Sequence, residues 1–161
     1  MPDLPDLSGE LPTPVLLRMA YYLLSEHIFQ RIVAAGYTDQ RPAHGNAMES
    51  LALEDGLRLT DLARRAGMTP QAMGELVDDL VAKGYLERRE DPQDRRAKRI
   101  YLTPKGQAMA ETGRIATQAI EEQVREALGS RPYQQLRRSL MRITAGLPTV
   151  RPASGPQPAD S

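Results

Sequence analysis

Two short helical patterns separated by a three-residue turn constrain this chain more than any other feature. The first pattern covers 61–66, with Thr60 as its expected N-cap and Gly67 as its stop. The second begins at Thr69-Pro70, a capping threonine followed by proline at the first helical position, and ends at Lys83-Gly84. This spacing predicts two helices that meet at an angle across the segment 66–68.

A two-stranded pattern follows the second helix directly. Residues 85–89 and 99–102 alternate apolar and charged side chains, and the polar segment 90–98 is expected to form the loop between them. A short extended stretch at 57–59 precedes the first helix. The order of these elements predicts a winged helix-turn-helix, with the hairpin as the wing. The second helix should bury a stripe made of Ala72, Met73, Leu76, Val77, Leu80 and Val81.

Longer helical patterns flank this unit. We predict helices over 14–35, 42–55, 104–128 and 132–145, the third capped by Thr103 before Pro104. The fold class is therefore mainly α with a small β-hairpin wing. We divide the chain into an N-terminal helix at 14–35, a winged unit at 42–103, C-terminal helices at 104–145 and two proline-rich disordered tails at 1–13 and 146–161.

Charge is concentrated although it sums to zero, with 21 basic and 21 acidic residues among 161. Eight basic residues and four acids lie between Lys83 and Lys105, and five arginines and no acid lie between Arg131 and Arg151. A nucleic-acid partner suits such basic segments. No apolar run could span a membrane, and the acidic start does not resemble a signal peptide, so we expect a cytoplasmic protein.

The sequence gives little support for an enzymatic activity or a metal site. The chain lacks cysteine and has only two histidines, which disfavours zinc. No glycine-rich phosphate loop or nucleophile elbow is present. We predict no enzymatic activity, no cofactor and no metal.

The second helix of such a unit can enter the DNA major groove, where base edges differ in their donors and acceptors. Gln71 could pair with adenine, Glu75 could accept from cytosine, and Ala72 could touch a thymine methyl group. Gly74 would allow close approach, and the helix starts at Thr60 and Thr69 would offer amides to phosphate. Asp78 and Asp79 on the same helix repel phosphate. They either point away from the DNA or keep the helix shallow, and they leave a protein-interaction module as the alternative.

The wing carries a second set of candidates. Arg95, Arg96 and Lys98 lie near the expected hairpin tip, where arginine can reach the negative potential of an A/T-rich minor groove. Asp94 could hold one of the arginines through a charge-assisted hydrogen bond. A charged turn exposed to solvent is the simpler alternative.

These segments resemble the MarR family of transcription regulators. The resemblance rests on LTDLARRAGMTPQAM at 59–73, LVDDL at 76–80, KGYLER at 83–88, DPQDRRAK at 91–98 and LTPKG at 102–106. It implies a homodimer whose terminal helices intertwine and whose two wings meet a pseudo-palindromic operator, most simply as a repressor. Half-sites would lie about 34 Å apart. The resemblance places a wing-tip arginine at Arg95 or Arg96. Many members carry a basic residue where this chain has Asp79, so one phosphate contact is expected to be missing.

The resemblance also implies a small aromatic or anionic effector, bound between the dimer helices and the winged unit. The candidates combine polar groups with apolar neighbours. They are Arg18, Tyr21, Tyr22, His27, His44 and Met48. The alternative is that the tyrosines pack in the core or in the dimer interface.

Overall fold

The computed structural model describes residues 11–146, without the side chain of Arg95. A short 3₁₀ turn, Pro42–His44, lies between the first two helices. The helices and strands are α1 Thr13–Ala34, α2 Gly45–Leu53, β1 Leu57–Arg58, α3 Leu59–Arg65, α4 Pro70–Ala82, β2 Leu86–Asp91, β3 Asp94–Leu102, α5 Pro104–Leu128 and α6 Ser130–Gly146. The mainly helical fold with a hairpin wing is confirmed.

The sheet has three antiparallel strands in the order β1, β3, β2. The extended stretch at 57–59 contributes β1, in which Leu57 pairs with Ile100. The predicted nine-residue wing loop is wrong, because β2 continues to Asp91 and β3 begins at Asp94, leaving Pro92 and Gln93 as the turn. These outer strand residues carry charge on both faces, so their sequence lacks the alternation that marks a half-buried strand.

The core forms where α4 packs against α2, α3 and the sheet. Met73, Val77 and Leu80 of α4 have no exposed surface, and Tyr85 is also buried. The start of α5 lies so close to this core that a Cβ atom at Gly106 would come within 2.1 Å of the Tyr85 carbonyl oxygen. A glycine is therefore required where α5 meets the end of the helix-turn-helix.

Two of the three predicted threonine caps form. The Thr69 hydroxyl accepts from the Ala72 N–H at 3.2 Å, and the Thr103 hydroxyl accepts from the Gly106 N–H at 3.1 Å. Thr60 as an N-cap is wrong. It lies inside α3, because β1 ends at Arg58 and the chain enters the helix at Leu59 without a side-chain cap.

The flanking helices differ from the core in burial. None of the 22 residues of α1 is buried, and Leu16, Leu23, Tyr21 and Tyr22 are about half exposed or more. The chain divides after Glu121 into two compact units, and α6, in the second, has no buried residue either. The predicted tails at 1–13 and 146–161 lie largely outside the described residues, although Thr13 already belongs to α1. Within 11–146, no helix has the length and apolar character needed to cross a membrane.

Candidate nucleic-acid interface

The first turn of α4 presents an exposed arc beside a capped helix start. Thr69, Gln71 and Glu75 are exposed on it, and Pro70 occupies the first helical position. Pro70 has no N–H and the Ala72 N–H donates to Thr69, so this turn offers a phosphate oxygen the Gln71 N–H and the positive end of the helix dipole. The side-chain amide of Gln71 can donate and accept at once, as recognition of an adenine edge requires.

Two predicted DNA contacts on α4 are placed less favourably. Ala72 and Gly74 are half-buried, and a Cβ atom at Gly74 would lie 3.8 Å from Leu59 Cδ2. The glycine therefore lies where α4 faces α3. Thr60 is exposed on α3, apart from the cap it was expected to form. The structure thus brings Gln71 and Glu75 to one surface and turns Gly74 towards the neighbouring helix.

The two acids on α4 are neutralised within the chain. Asp78 Oδ1 lies 2.7 Å from the Arg88 guanidinium on β2. Asp79 Oδ2 lies 2.8 Å from Lys83 Nζ and 2.7 Å from Arg41 Nη2. The hydrogen bond from Lys83, with others from Arg41 and from His44, lowers the pKa of Asp79 to about 2. Both carboxylates therefore have cationic partners that reduce their repulsion of phosphate.

The wing presents Arg96 in an exposed position on β3. Among the wing side chains that the structure describes, Arg96 has no ion pair, whereas Lys98 Nζ lies 3.3 Å from Glu90 Oε1. The prediction that Asp94 holds an arginine side chain is not supported for Arg96, because Asp94 accepts from the Arg96 backbone N–H at 3.0 Å. The choice between Arg95 and Arg96 stays open, since the Arg95 side chain lies outside the described atoms.

Asp91 is the main anchor of the wing, and no role was predicted for it. Its side chain is fully buried, and Oδ2 accepts from Arg58 Nε at 2.8 Å. Arg99 Nε lies 3.1 Å from the same oxygen but is not aligned for a hydrogen bond, while Arg99 Nη1 donates to the Gly56 carbonyl at 2.9 Å. The hydrogen bond from the Gln93 backbone N–H, with the arginines, lowers the pKa of Asp91 to about 2.

This anchor joins the wing to the helix-turn-helix through one carboxylate. Arg58 lies at the end of β1, immediately before α3, and Asp91 lies at the end of β2. The pairing therefore constrains the wing relative to α3. The sequence showed only a polar run ending in Asp91, because the partner is 33 residues away and no local pattern reveals such a contact.

A cavity of about 510 Å³ lies among α1, the 3₁₀ turn, α2 and α5. Its volume is in the range of small-molecule sites, and apolar side chains dominate its wall. Of the predicted effector residues, Tyr21, His44 and Met48 line it. Arg18, Tyr22 and His27 do not, so the structure does not bring the six together.

His44 connects this cavity to α4. The imidazole is buried, and its Nε2–H donates to Asp79 Oδ2 at 2.8 Å. The Arg41 backbone N–H donates to Nδ1 at 3.1 Å, which fits a neutral ring with its proton on Nε2. Burial lowers the pKa of His44, consistent with that neutral form. One residue of the cavity wall thus bonds directly to the helix that carries Gln71.

A family model described as MarR family matches residues 32–97, which hold the helix-turn-helix and most of the wing. The chain is 32% identical over 68 residues to the HTH-type transcriptional regulator PetP of Rhodobacter capsulatus, covering 42% of this chain and 41% of that protein. The family match supports the predicted transcription regulator over an enzyme.

Solved structures extend the likeness to the flanking helices. A DNA complex of MepR from S. aureus has a TM-score of 0.71 at 24% identity, covering 86% of this chain and all of that one. BpsR of Bordetella bronchiseptica, solved in work on regulation of its DNA binding by 6-hydroxynicotinic acid, has a TM-score of 0.67 at 22% identity and covers 81% and 97%. At these identities the two structures establish the fold.

Proposed function

We propose that this chain is a MarR-family regulator, which binds a pseudo-palindromic DNA operator as a homodimer and represses transcription; the family model that matches its winged core supports this. One observation carries this proposal. The exposed arc of Gln71 and Glu75 lies on a capped helix, with a wing that carries the exposed Arg96 and is held in place by Asp91. A reading helix and an anchored basic wing are the two parts that such an interface needs.

In the proposed complex, α4 lies in the major groove. Gln71 pairs with an adenine edge and Glu75 accepts from a cytosine amine. The wing follows the backbone to the next minor groove, where Arg96 or Arg95 enters. MepR, which shares this fold, was solved bound to DNA, and that supports DNA binding by this chain.

The homodimer accounts for the apolar surface of the outer helices. Leu16, Leu23 and Tyr22 on α1, and Leu136 and Met141 on α6, are all more than two-fifths exposed. A second copy would bury these side chains, which a solvated monomer leaves in water. Two copies related by a two-fold axis present two α4 helices to two half-sites, so the operator should share that symmetry.

A small effector would act through the cavity. A ligand seated beside Met48 and His44 would change the packing around the imidazole, and His44 transmits that change to Asp79 on α4. Loss of the DNA-binding orientation of α4 would then release the operator. BpsR, whose DNA binding is regulated by 6-hydroxynicotinic acid, shares this fold and supports regulation of this kind.

Gel-shift titration against the DNA flanking the protein's own gene tests the proposal, at several salt concentrations and beside a scrambled duplex. We expect a specific shift that weakens steeply with salt, because phosphate contacts release counterions. Absence of a specific shift at every salt concentration would favour the alternative, a protein-interaction module. The pairing of Asp78 and Asp79 with cations removes one of the observations that favoured this alternative.

A further inference from the structure

The cavity described above contains an unbalanced charge. Glu49 on α2 supplies the one carboxylate among its described lining residues, and Tyr21, Phe29 and Met48 lie on the same wall. No ion pair or hydrogen bond of the Glu49 carboxylate is found within residues 11–146. Its Oε1 lies 3.8 Å from the place of a Cβ atom at Gly45, so it faces the small first residue of α2.

The cationic side chains of the wall are already engaged. Arg41 forms its ion pair with Asp79. Arg114 forms two hydrogen bonds with Glu111, from Nε at 2.7 Å and from Nη2 at 2.6 Å. His44 is neutral and bonded on both ring nitrogens. An anion entering the cavity would compete with the internal partners of these groups, and it would also meet the negative charge of Glu49.

A cation, in contrast, would be attracted by the negative charge of Glu49. Burial raises the pKa of Glu49, which shows that the neighbouring groups do not compensate its negative charge. Glu49 lies at the solvent-exposed edge of the cavity, and a ligand that brings a positive charge to this carboxylate supplies the missing partner beside an apolar wall. The rings of Tyr21 and Phe29 also favour a cation, because aromatic faces are negative.

We propose that the effector of this protein is a small hydrophobic cation, such as an aromatic amine or quaternary ammonium compound, whose charge lies against Glu49. This inference rests on the proposed function for its regulatory meaning, but not for the binding itself. The sequence led us to expect an aromatic or anionic effector; this proposal keeps the aromatic alternative and replaces the anionic one with a cation.

Calorimetric titration of the DNA-free protein with three probes of similar size tests the charge preference. The probes are benzyltrimethylammonium, neutral 2-phenylethanol and anionic phenylacetate. We expect the cation to bind about tenfold or more tightly than phenylacetate, because the cavity offers a carboxylate without a cationic partner and cations that already have acidic partners. Equal binding of the cation and the anion, preference for the anion, or no binding of the cation would overturn the proposal.

Two variants test whether the Glu49 carboxylate is the group that binds the cation. Glu49→Gln keeps the size of the side chain and should lower affinity for the cation by about tenfold, leaving 2-phenylethanol binding unchanged. Glu54→Gln is the matched control, because Glu54 is an exposed glutamate close in sequence that pairs with Arg65 and does not line the cavity. Glu49 lies at the solvent-exposed edge of the cavity, so the variant should fold, which circular dichroism checks. The same loss of cation binding in both variants, or in neither, would contradict a role for Glu49.

Gel shifts of the same variants without any ligand separate this proposal from the proposed function. Glu49→Gln should bind the operator as the wild type does, because Glu49 is exposed, belongs to neither α4 nor the wing, and forms no hydrogen bond or ion pair with their described residues. If the cation binds but no protein binds DNA, the regulatory function fails and the cation site stands. If DNA binds but the cation does not, the cation site fails and the regulatory function stands.

Discussion

Helices α4 and α1 differ in how far their apolar side chains are buried. The 13-residue helix α4 buries four side chains, and three of them, Met73, Val77 and Leu80, have no exposed surface. The 22-residue helix α1 buries none, and Tyr22 remains 64% exposed. Both helices carry repeating apolar residues, so the difference lies in what each helix packs against.

The difference separates what the chain can stabilise alone from what needs a second copy. The buried apolar stripe of α4 packs against α2, α3 and the sheet of the same chain, and these neighbours fix the position of the exposed arc of α4. Within residues 11–146, no element buries the apolar residues of α1 to a comparable extent. We infer that the winged core is a self-sufficient support for DNA reading, while α1 derives its stability from dimer formation.

The largest effect should come from the α4 side of this comparison. Leu80→Ala leaves a cavity in the closed core and should lower the free energy of unfolding by about 2–5 kcal/mol. Because the stripe is buried within one chain, urea titrations at widely different protein concentrations should all show that decrease. A decrease that vanished on dilution would mean that α4, like α1, depends on the partner copy.

A substitution on α1 should affect association first. Leu23→Asp places a charge on a helix face that is half exposed in one chain and that we propose is covered in the dimer. We expect the dimer to dissociate at concentrations where the wild type stays associated, as measured by analytical ultracentrifugation, with the helical content of the core retained. Unchanged association would remove α1 from the proposed interface.

The wing offers a smaller contrast between two aspartates. Asp91→Asn removes the buried charge that meets Arg58 and Arg99, so the wing should lose its fixed direction and DNA affinity should fall. Asp94→Asn is the control, because among the described atoms Asp94 accepts only from the Arg96 backbone N–H at the tip, so its effect should be weaker. Fluorescence anisotropy with labelled operator DNA measures both. Equal effects would show that the anchor is not specific to Asp91.

The smallest effect should be a pH dependence at the junction between cavity and α4. Burial lowers the pKa of His44, so the unfolded chain takes up this proton first as pH falls through about 6.5. Stability from His44 is thus present above that pH and is lost on acidification towards pH 5. The stability from Asp79, whose pKa is about 2, is present above about pH 4 and is lost only as pH falls from there towards 2.

Thermal melts of the wild type and His44→Gln between pH 5 and 7.5 check this contribution. The wild type should lose more stability on acidification than the variant. Glu49 acts in the opposite direction, because its raised pKa stabilises the fold as pH falls, so Glu49→Gln should be measured alongside. Identical pH slopes for the wild type and His44→Gln would exclude His44 as the titrating group.

Local signals predicted the parts of the fold that local chemistry decides. Thr69 before Pro70 marked the start of α4, and the three-and-four spacing of Met73, Val77 and Leu80 marked its buried face. The predicted wing strands were too short, because charged residues lie on both faces of the outer halves of β2 and β3. Thr60 was placed at a helix start that tertiary pairing of β1 moved to Leu59.

The site was harder to predict than the fold. A helical pattern shows which residues share a face but not what that face meets, so Tyr22 and His27 were grouped with Tyr21 although only Tyr21 reaches the cavity. The roles of Asp91 and Glu49 depend on what surrounds each carboxylate in space. Within the described part of the chain, Asp91 lies against two arginines and Glu49 pairs with none. No sequence pattern distinguishes these surroundings.

Joint contact with DNA by the exposed arc of α4 and by the wing is the basis of the proposed function. Its most direct test is the salt dependence of operator affinity for the wild type and an Arg95→Ala, Arg96→Ala double variant of unchanged circular dichroism. We expect weaker binding by the variant, and a slope of log affinity against log salt that falls by about one for each phosphate the variant no longer neutralises. Identical affinity and slope would contradict this interpretation, because the wing would then not touch the DNA.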